Sequence, residues 1–368
     1  MTQTTDLLAE LADIDPASPL AAARQQRDAA TRHSQGSYRA LFSDGSADFP
    51  LQERVALAAE VAHWHQDEQL AAHYAAQPGN AASSARFQLA LEHARRLTFQ
   101  PVTATSAHLA ALQQAGWTLD AIVTLSQIVA FVSFQSRLVR GYRLIAGHGV
   151  SDSNTAFTAG EWHTQPQTQT GKIAPVYFTT AELGWEPWIA AKPLAEFAAE
   201  QQQTLARFGH SDSDYFRLLG RNLPVLEQRT LTDKGIFYTS AGLSRAEREL
   251  AAAVASKVNG CIFCASVHAR KAAQLAKQPE AVQRLLDTPP GGQLSADQSS
   301  RWQAQIDFAA AISATPASAS AQQIQQLRAE GLSDLELLDL LQSAAFFAWA
   351  NRLMLTLGEP FIPAENHA

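Results

Sequence analysis

Only two of the 368 residues are cysteine. So small a number rules out a disulfide-stapled scaffold and fits a redox role in a reducing compartment better than a structural bridge. There is no second C-x-x-C and no paired-histidine motif, so nothing in the sequence supplies a fourth zinc ligand. No histidine directly follows the second cysteine, where Ala265 stands instead, which excludes covalent haem attachment. No haem, flavin or nucleotide motif is present, and no bound cofactor or metal is expected. Positive charge is short: 28 Lys and Arg against 35 Asp and Glu leave a net charge of −7. That balance argues against nucleic acid and against anionic membrane as partners. The first residues lack the basic n-region and apolar core of a signal peptide. No apolar run is read as approaching the ~20 residues of a membrane span. The expectation is a cytoplasmic protein. Runs of β-branched residues are also few, while alanine is abundant, which favours helices.

What the chain does have is concentrated in residues 249–268, ELAAAVASKVNGCIFCASVH. Cys261 and Cys264 form a C-x-x-C, His268 follows Cys264 by four residues, and Glu249 precedes Cys261 by twelve. Ser244 and Glu247 read as a capping box that starts a helix. Alanine-rich sequence carries it to about Val258, and Asn259-Gly260 ends it, since both residues tolerate the left-handed conformation. A second helix begins near Cys261, with Cys261, Cys264 and His268 at i, i+3 and i+7 on one face. Folded back on each other, the two helices set Glu249 and His268 at similar heights, roughly 12–15 Å from the turn at about 1.5 Å per residue. Glu249 would then orient His268, and His268 would take a proton from Cys264. A helix N-terminus and a neighbouring base both favour a thiolate. A second cysteine then condenses with a sulfenic acid on the first to close a disulfide. The plain alternative is a pair of small buried hydrophobes. A thioredoxin-type site needs a strand before the motif, where this chain has helix-forming sequence.

The pattern E-x11-C-x2-C-x3-H, filled by Glu249, Cys261, Cys264 and His268, resembles the signature of the AhpD-like alkylhydroperoxidase family, within the carboxymuconolactone decarboxylase superfamily. The resemblance covers most of the second half of the chain. It implies an all-α, AhpD-like helical fold and a peroxide-reducing dithiol, with Cys264 peroxidatic and Cys261 resolving. It also implies a Glu249–His268 proton relay, a hydroperoxide substrate, a dithiol or disulfide-reductase electron donor, and a homo-oligomer, with a trimer favoured. The best-known members carry a histidine immediately before the second cysteine, where this chain has Phe263. Two other readings stay open. One is an acid–base decarboxylase or isomerase that uses His268 and Glu249 on a small ring acid or lactone. The other is a non-catalytic thiol redox sensor.

The length suggests two domains, and 46% apolar residues allow each to bury a core. Helices are read over residues 18–42, ending near Asp44-Gly45, and over 50–74, with a break at 77–80. Further helices are read over 87–97, 107–115 and 118–144. A polar stretch, 147–172, reads as a linker or arm, with Trp162, Trp185 and Trp188 as its anchors. Helical sequence resumes over 194–208, 214–221 and 224–239. After the motif hairpin it is interrupted at 287–292 and returns over 299–312, 322–329 and 333–357.

An offset of 215 maps Leu97 to Ile312, Pro101 to Pro316, Gly116 to Gly331 and Arg137 to Arg352. Upstream an offset of 194 maps Glu53-Arg54 to Glu247-Arg248. The difference is an insertion around residues 289–292 that is expected to cover the thiol site. The chain thus reads as two tandem repeats of one helical module. Residues 1–150 lack the cysteine motif, 151–180 form the linker, and 181–368 carry the active site. In the first copy the cysteine positions hold Asp67 and Leu70, the histidine position Tyr74 and the glutamate position Val55. That copy cannot do thiol chemistry. It holds His63, His65, His73, His93 and His108, of which His65 and His73 with Glu68 suggest a metal or acid–base site; surface or capped histidines are the plain alternative. Arg137 and Arg352 read as helix-end salt bridges or snorkelling stems rather than anion sites, because no glycine-rich loop accompanies them.

Overall fold

The structure, a computed structural model, describes residues 6–42, 46–77, 84–150 and 158–364. Among these the chain is all-α apart from one two-stranded ribbon. The first half runs α1 (Leu7–Leu11), α2 (Pro19–Gln26), α3 (Asp28–Leu41), α4 (Leu51–Trp64), α5 (Glu68–Ala75), α6 (Ala85–Phe99), α7 (Ser106–Gln114) and α8 (Leu119–Ile145). After β1 (Gly184–Pro187) come α9 (Ala199–Arg207), α10 (Asp214–Leu219), α11 (Leu223–Phe237), α12 (Arg245–Val258), α13 (Ile262–Ala276) and α14 (Pro279–Asp287). The chain closes with α15 (Ser300–Ser313), α16 (Ala321–Ala329), α17 (Asp334–Thr356) and β2 (Gly358–Phe361). β2 pairs antiparallel with β1, with Gly184 opposite Phe361. Helix starts follow side-chain chemistry. Ser18, Ser84, Thr118, Ser299 and Ser333 each accept the N–H three residues on, which satisfies a donor the helix leaves open.

Two helices expected to be continuous are broken. The 18–42 helix divides at Arg27, which leaves helical geometry at φ −108°, ψ 31°. Its guanidinium turns inward to Asp339 on α17, at 2.6 Å from Nε and 2.9 Å from Nη2. The same carboxylate takes Arg248 Nη2 and the Leu243 N–H, each at 2.9 Å. This buried cluster locks the α2–α3 corner onto α12 and α17. The 50–74 helix divides at Gln66, whose φ of +58° ends α4, and Asp67 caps α5. Asp44-Gly45 and residues 78–80, read as breaks, lie outside the described residues.

The element bounds follow the two sequence offsets. α4 starts 194 residues before α12, α5 starts 194 before α13, and α7 lies 215 before α16 at both ends. Gly116 and Gly331 both take a positive φ, +89° and +84°.

The core is built where α8 crosses α17. Phe131 meets Trp349 edge-on at 5.0 Å between centroids, and Phe134 meets Phe346 at 6.2 Å. Trp349 Nε1 donates to Gln127 Oε1 at 2.7 Å, so the buried indole N–H is satisfied. Contrary to the expectation of no span-length apolar run, α8 is long and apolar enough to cross a membrane by length and composition; its apolar window is wholly buried in protein.

Arg137 and Arg352 are neither salt-bridged nor snorkelling, which corrects that reading. Both are fully buried, at 0% exposure. Arg137 Nη2 donates to Ser313 O (3.2 Å), Ala314 O (3.0 Å) and Thr315 Oγ1 (2.7 Å). Arg352 Nη2 donates to Thr98 O (2.8 Å) and the same hydroxyl (3.2 Å). The last carbonyls of a helix lack intrahelical partners, and each arginine supplies them across the α8–α17 crossing. α3 lies as closely on α11: a Cβ on Gly235 would sit 2.5 Å from the Ala30 nitrogen, so only glycine allows that approach.

Candidate active site

The four motif residues sit on the α12–α13 hairpin. Ser244 Oγ accepts the Glu247 N–H at 3.2 Å and starts α12. Gly260 turns the chain at φ +76°, and a Cβ there would lie 2.1 Å from Glu161 O, so both conformation and close approach demand glycine. Cys261 is the N-cap of α13 and donates its N–H to Ser256 O at 2.8 Å. Cys264 is the third residue of that helix, where backbone N–H groups are still free.

Glu249 is fully buried between His268 and Arg245. Its Oε2 accepts His268 Nδ1–H at 2.5 Å, and its Oε1 accepts Arg245 Nε–H at 2.6 Å. Burial pushes the carboxyl up, but the His268 bond and charge, with Arg245, outweigh it and hold Glu249 below the ordinary glutamate range. The imidazole is thereby fixed in tautomer and tilt, and Phe347 closes on it edge-on at 4.3 Å. Cys264 lies one turn before His268, and no direct sulfur–imidazole hydrogen bond joins them among the described residues.

The hairpin separates two recesses. The larger, about 540 Å³, is lined by Cys264 and His268 with Tyr215, Arg229, Asp233 and Phe347. The smaller, about 250 Å³, is lined by Cys261 with His163, Trp188 and the Gln165–Gln169 side of the arm. Phe263, Trp185 and Met354 line both and form the partition. Two expectations are corrected here. Cys261 is off the helical face of Cys264 and His268, because it precedes the helix in extended geometry (φ −88°, ψ 92°), although its side chain still hydrogen-bonds Cys264. The 289–292 segment lines neither recess; Gly291 and Gly292 instead hydrogen-bond Ala159, at 2.9 and 3.2 Å. The cover over Cys261 is the arm itself. Trp185 Nε1 anchors it to Met354 O on α17 at 3.1 Å, and Trp162 Nε1 donates to Val176 O at 2.9 Å.

Burial, followed by the hydrogen bond and charge of Cys264, pushes the Cys261 thiol well above its ordinary range. Three recess residues carry no signal in the motif. Burial raises the Tyr215 phenol to about 12, and its hydroxyl has no partner among the described residues. Burial also pushes Asp233 up, against the pull of Arg229 and His268. Tyr215 on α10 and Asp233 and Arg229 on α11 reach the thiol only through packing. Arg245 was within reach of sequence reasoning, because it stands four residues before Glu249 on one helix.

In the first half, Asp67 holds the place that the 194 offset assigns to Cys261 and caps α5 through the Leu70 N–H at 3.0 Å. Burial lifts its carboxyl to about 6. His65, Glu68 and His73 do not all converge: His65 and Glu68 line one recess of about 210 Å³ with Asp67, Ser136 and Arg143, His65 Nε2 pairs there with Ser133 Oγ at 2.8 Å, and His73 lies outside it, paired through Nε2 with Tyr38 Oη at 2.9 Å. Among the described residues no group of three or more His, Cys, Asp or Glu stands where it would hold a metal ion.

Glu249→Gln is expected to reduce any proton-transfer chemistry at His268 on the order of 10²-fold. It also has a stability signature. A depressed carboxyl contributes stability that is complete above the unfolded value, about 4.3, and is lost as pH falls through the folded value. The stability gap between wild type and Glu249→Gln, read by urea titration, should therefore shrink below that pH and stay constant above it.

Comparison with known families shows that residues 224–288 match the model of the carboxymuconolactone decarboxylase family, a span that includes α11 from its second residue, the hairpin and all four motif residues. No curated protein matches the chain.

Proposed function

We propose that this chain, a member of the carboxymuconolactone decarboxylase superfamily through residues 224–288, is a thiol peroxidase that reduces organic hydroperoxides. The observation that carries this reading is the 2.5 Å Glu249–His268 pair one turn beyond a cysteine that lines an open, aromatic-walled recess. The Cys264 thiolate attacks the distal peroxide oxygen, so that an S–O bond forms and the O–O bond breaks. The alkoxide leaves as an alcohol with a proton that His268 delivers through a water or the substrate oxygen. Cys261 then attacks the sulfenic sulfur, the disulfide closes, and water departs. One hydroperoxide and two thiols give one alcohol, one water and one disulfide. The volume and the Phe347 wall favour a bulky apolar peroxide over hydrogen peroxide.

The first half, in this reading, is a degenerate copy of the same module that shares an interface with the second. The matched element bounds and the crossed Arg137 and Arg352 bonds support it.

The test is a thiol titration before and after one equivalent of cumene hydroperoxide. Two thiols should be lost per chain, and turnover should persist with added dithiol. Loss of no thiols overturns the reading. Loss of two without turnover leaves a redox sensor. A second reading rests on Arg229 and Lys271, which bring two cations to the recess and would hold the carboxylate of a small ring acid for His268 to work on.

A further inference from the structure

The first half keeps a recess where the second half has the one at Cys261. Residues 66–69 and 139–140 line it, and the two repeat offsets carry them onto residues 260–263 and 354–355, which line the Cys261 recess. The chemistry of the walls is different. Asp67 stands in the place of Cys261, Glu68 in that of Ile262 and Arg140 in that of Leu355, and Arg143 adds a second guanidinium. We propose that this recess binds a small α-amino acid, whose ammonium group is taken by His65 and Asp67 and whose carboxylate is taken by Arg143.

Two buried acceptors in its wall lack a partner among the described residues. Ser133 Oγ gives its single hydrogen to Val129 O at 2.8 Å, so in the 2.8 Å contact with His65 the imidazole Nε2–H donates to that hydroxyl. His65 Nδ1 is then an acceptor, buried and unpaired. Burial, followed by the charges of Arg137 and Arg352, holds the imidazole well below its ordinary pKa, so it stays neutral and keeps that lone pair. Asp67 is 8% exposed; one of its oxygens accepts the Leu70 N–H and Oδ2 accepts nothing. Its carboxyl, lifted to about 6 by burial, is still largely ionised at neutral pH. A buried acceptor left bare is costly, and one ammonium group has hydrogens enough for both.

The charges fix the other end of the ligand. Asp67 and Glu68 face Arg140 and Arg143 across the recess walls, two carboxylates against two guanidiniums. A zwitterion preserves that balance, whereas a lone cation or a lone anion upsets it. Arg140 is committed through Nε and Nη2 to Ala319 O, at 3.1 and 2.8 Å. Arg143 gives one N–H to Gly149 O at 3.2 Å, and a guanidinium has five to give, in a fork that matches a carboxylate. It also stands near enough to pull the Asp67 carboxyl down, which sets the two ends of the ligand a short distance apart. At about 210 Å³ the space lies beneath the roughly 300–1,000 Å³ of drug-sized sites, so the side chain of the amino acid is short.

The test is isothermal titration of the whole chain with L-alanine at neutral pH, where binding should saturate below about 10 mM. Acetate and methylammonium each match one end only, and each should bind at least about tenfold more weakly. Asp67→Asn removes the charge and keeps a good N-cap for α5. Arg143→Gln removes the guanidinium from a half-exposed position. Each variant should weaken L-alanine by about tenfold or more, the loss of one charge-assisted hydrogen bond. No saturable binding of L-alanine overturns the proposal. So does acetate or methylammonium that binds as tightly as L-alanine, and so does unchanged affinity in either variant. If Asp67→Asn does not fold, Arg143→Gln decides. The titration uses neither peroxide nor thiol reagent, so its outcome is independent of what the hairpin does.

Discussion

Cys264→Ser should lower hydroperoxide turnover by at least about 10³-fold, roughly 4 kcal/mol of barrier, because the alcohol that replaces the sulfur does not attack an O–O bond. Cys261→Ser should behave differently. Its Cys264 still faces the larger recess beside His268, so the first oxidation should run at nearly the wild-type rate and stop after one turnover. The sulfenic acid is left without its partner and should accumulate, to be trapped by dimedone and seen as a mass increment on Cys264. The asymmetry follows from the two openings on the hairpin and from burial, which holds the Cys261 thiol in its protonated form. If the two variants lose the first oxidation equally, the assigned order of the sulfurs is wrong. If Cys264→Ser keeps full activity on a ring acid or lactone, the acid–base reading replaces the peroxidase.

Asp339→Ala should destabilise the fold by about 3–5 kcal/mol, the cost of stripping one partner from a buried ion cluster. The carboxylate holds two guanidiniums that are themselves 3% and 1% exposed, so its loss leaves two buried charges without a counter-ion. It also strands the Leu243 N–H at the entry to α12. The measurement is the urea midpoint at unchanged m-value. The triple change of Arg27 and Arg248 to Met with Asp339 to Leu should recover most of the loss, since an apolar replacement of the whole cluster is often near neutral. A loss under about 1 kcal/mol would show that water or a neighbouring carbonyl already serves these cations.

The hairpin was legible because every part of it is local. The Ser244 cap, the Asn259-Gly260 turn and the i, i+3, i+7 spacing are short-range instructions, and they place Glu249 against His268 without help from the rest of the chain. The placement of Cys261 was less so, since the N-cap residue of a helix takes extended geometry and leaves the helical face its spacing implies. Arg27 looked like one more helical residue because its partner, Asp339, lies 312 positions away. For the same reason Tyr215, Arg229 and Asp233 were silent: α10 and α11 are ordinary helices in sequence, and only the tertiary fold brings these three side chains to the recess that Cys264 lines. The arm misled in the opposite direction. Its polar, aperiodic composition reads as a spacer, yet Thr170 and Lys172 bind Glu186 at 2.8 and 2.6 Å and hold it as a wall.

The crossed arginines tie the fates of the two halves together. Thr98 and Ser313 offer these arginines only main-chain oxygens, and the guanidinium each depends on is encoded some two hundred residues away in the opposite half. A change at position 137 would leave bare carbonyls at 313 and 314, an injury to the thiol-bearing half written entirely in the other. A chain wired this way cannot shed its cysteine-free half as surplus, even though that half contributes no thiol.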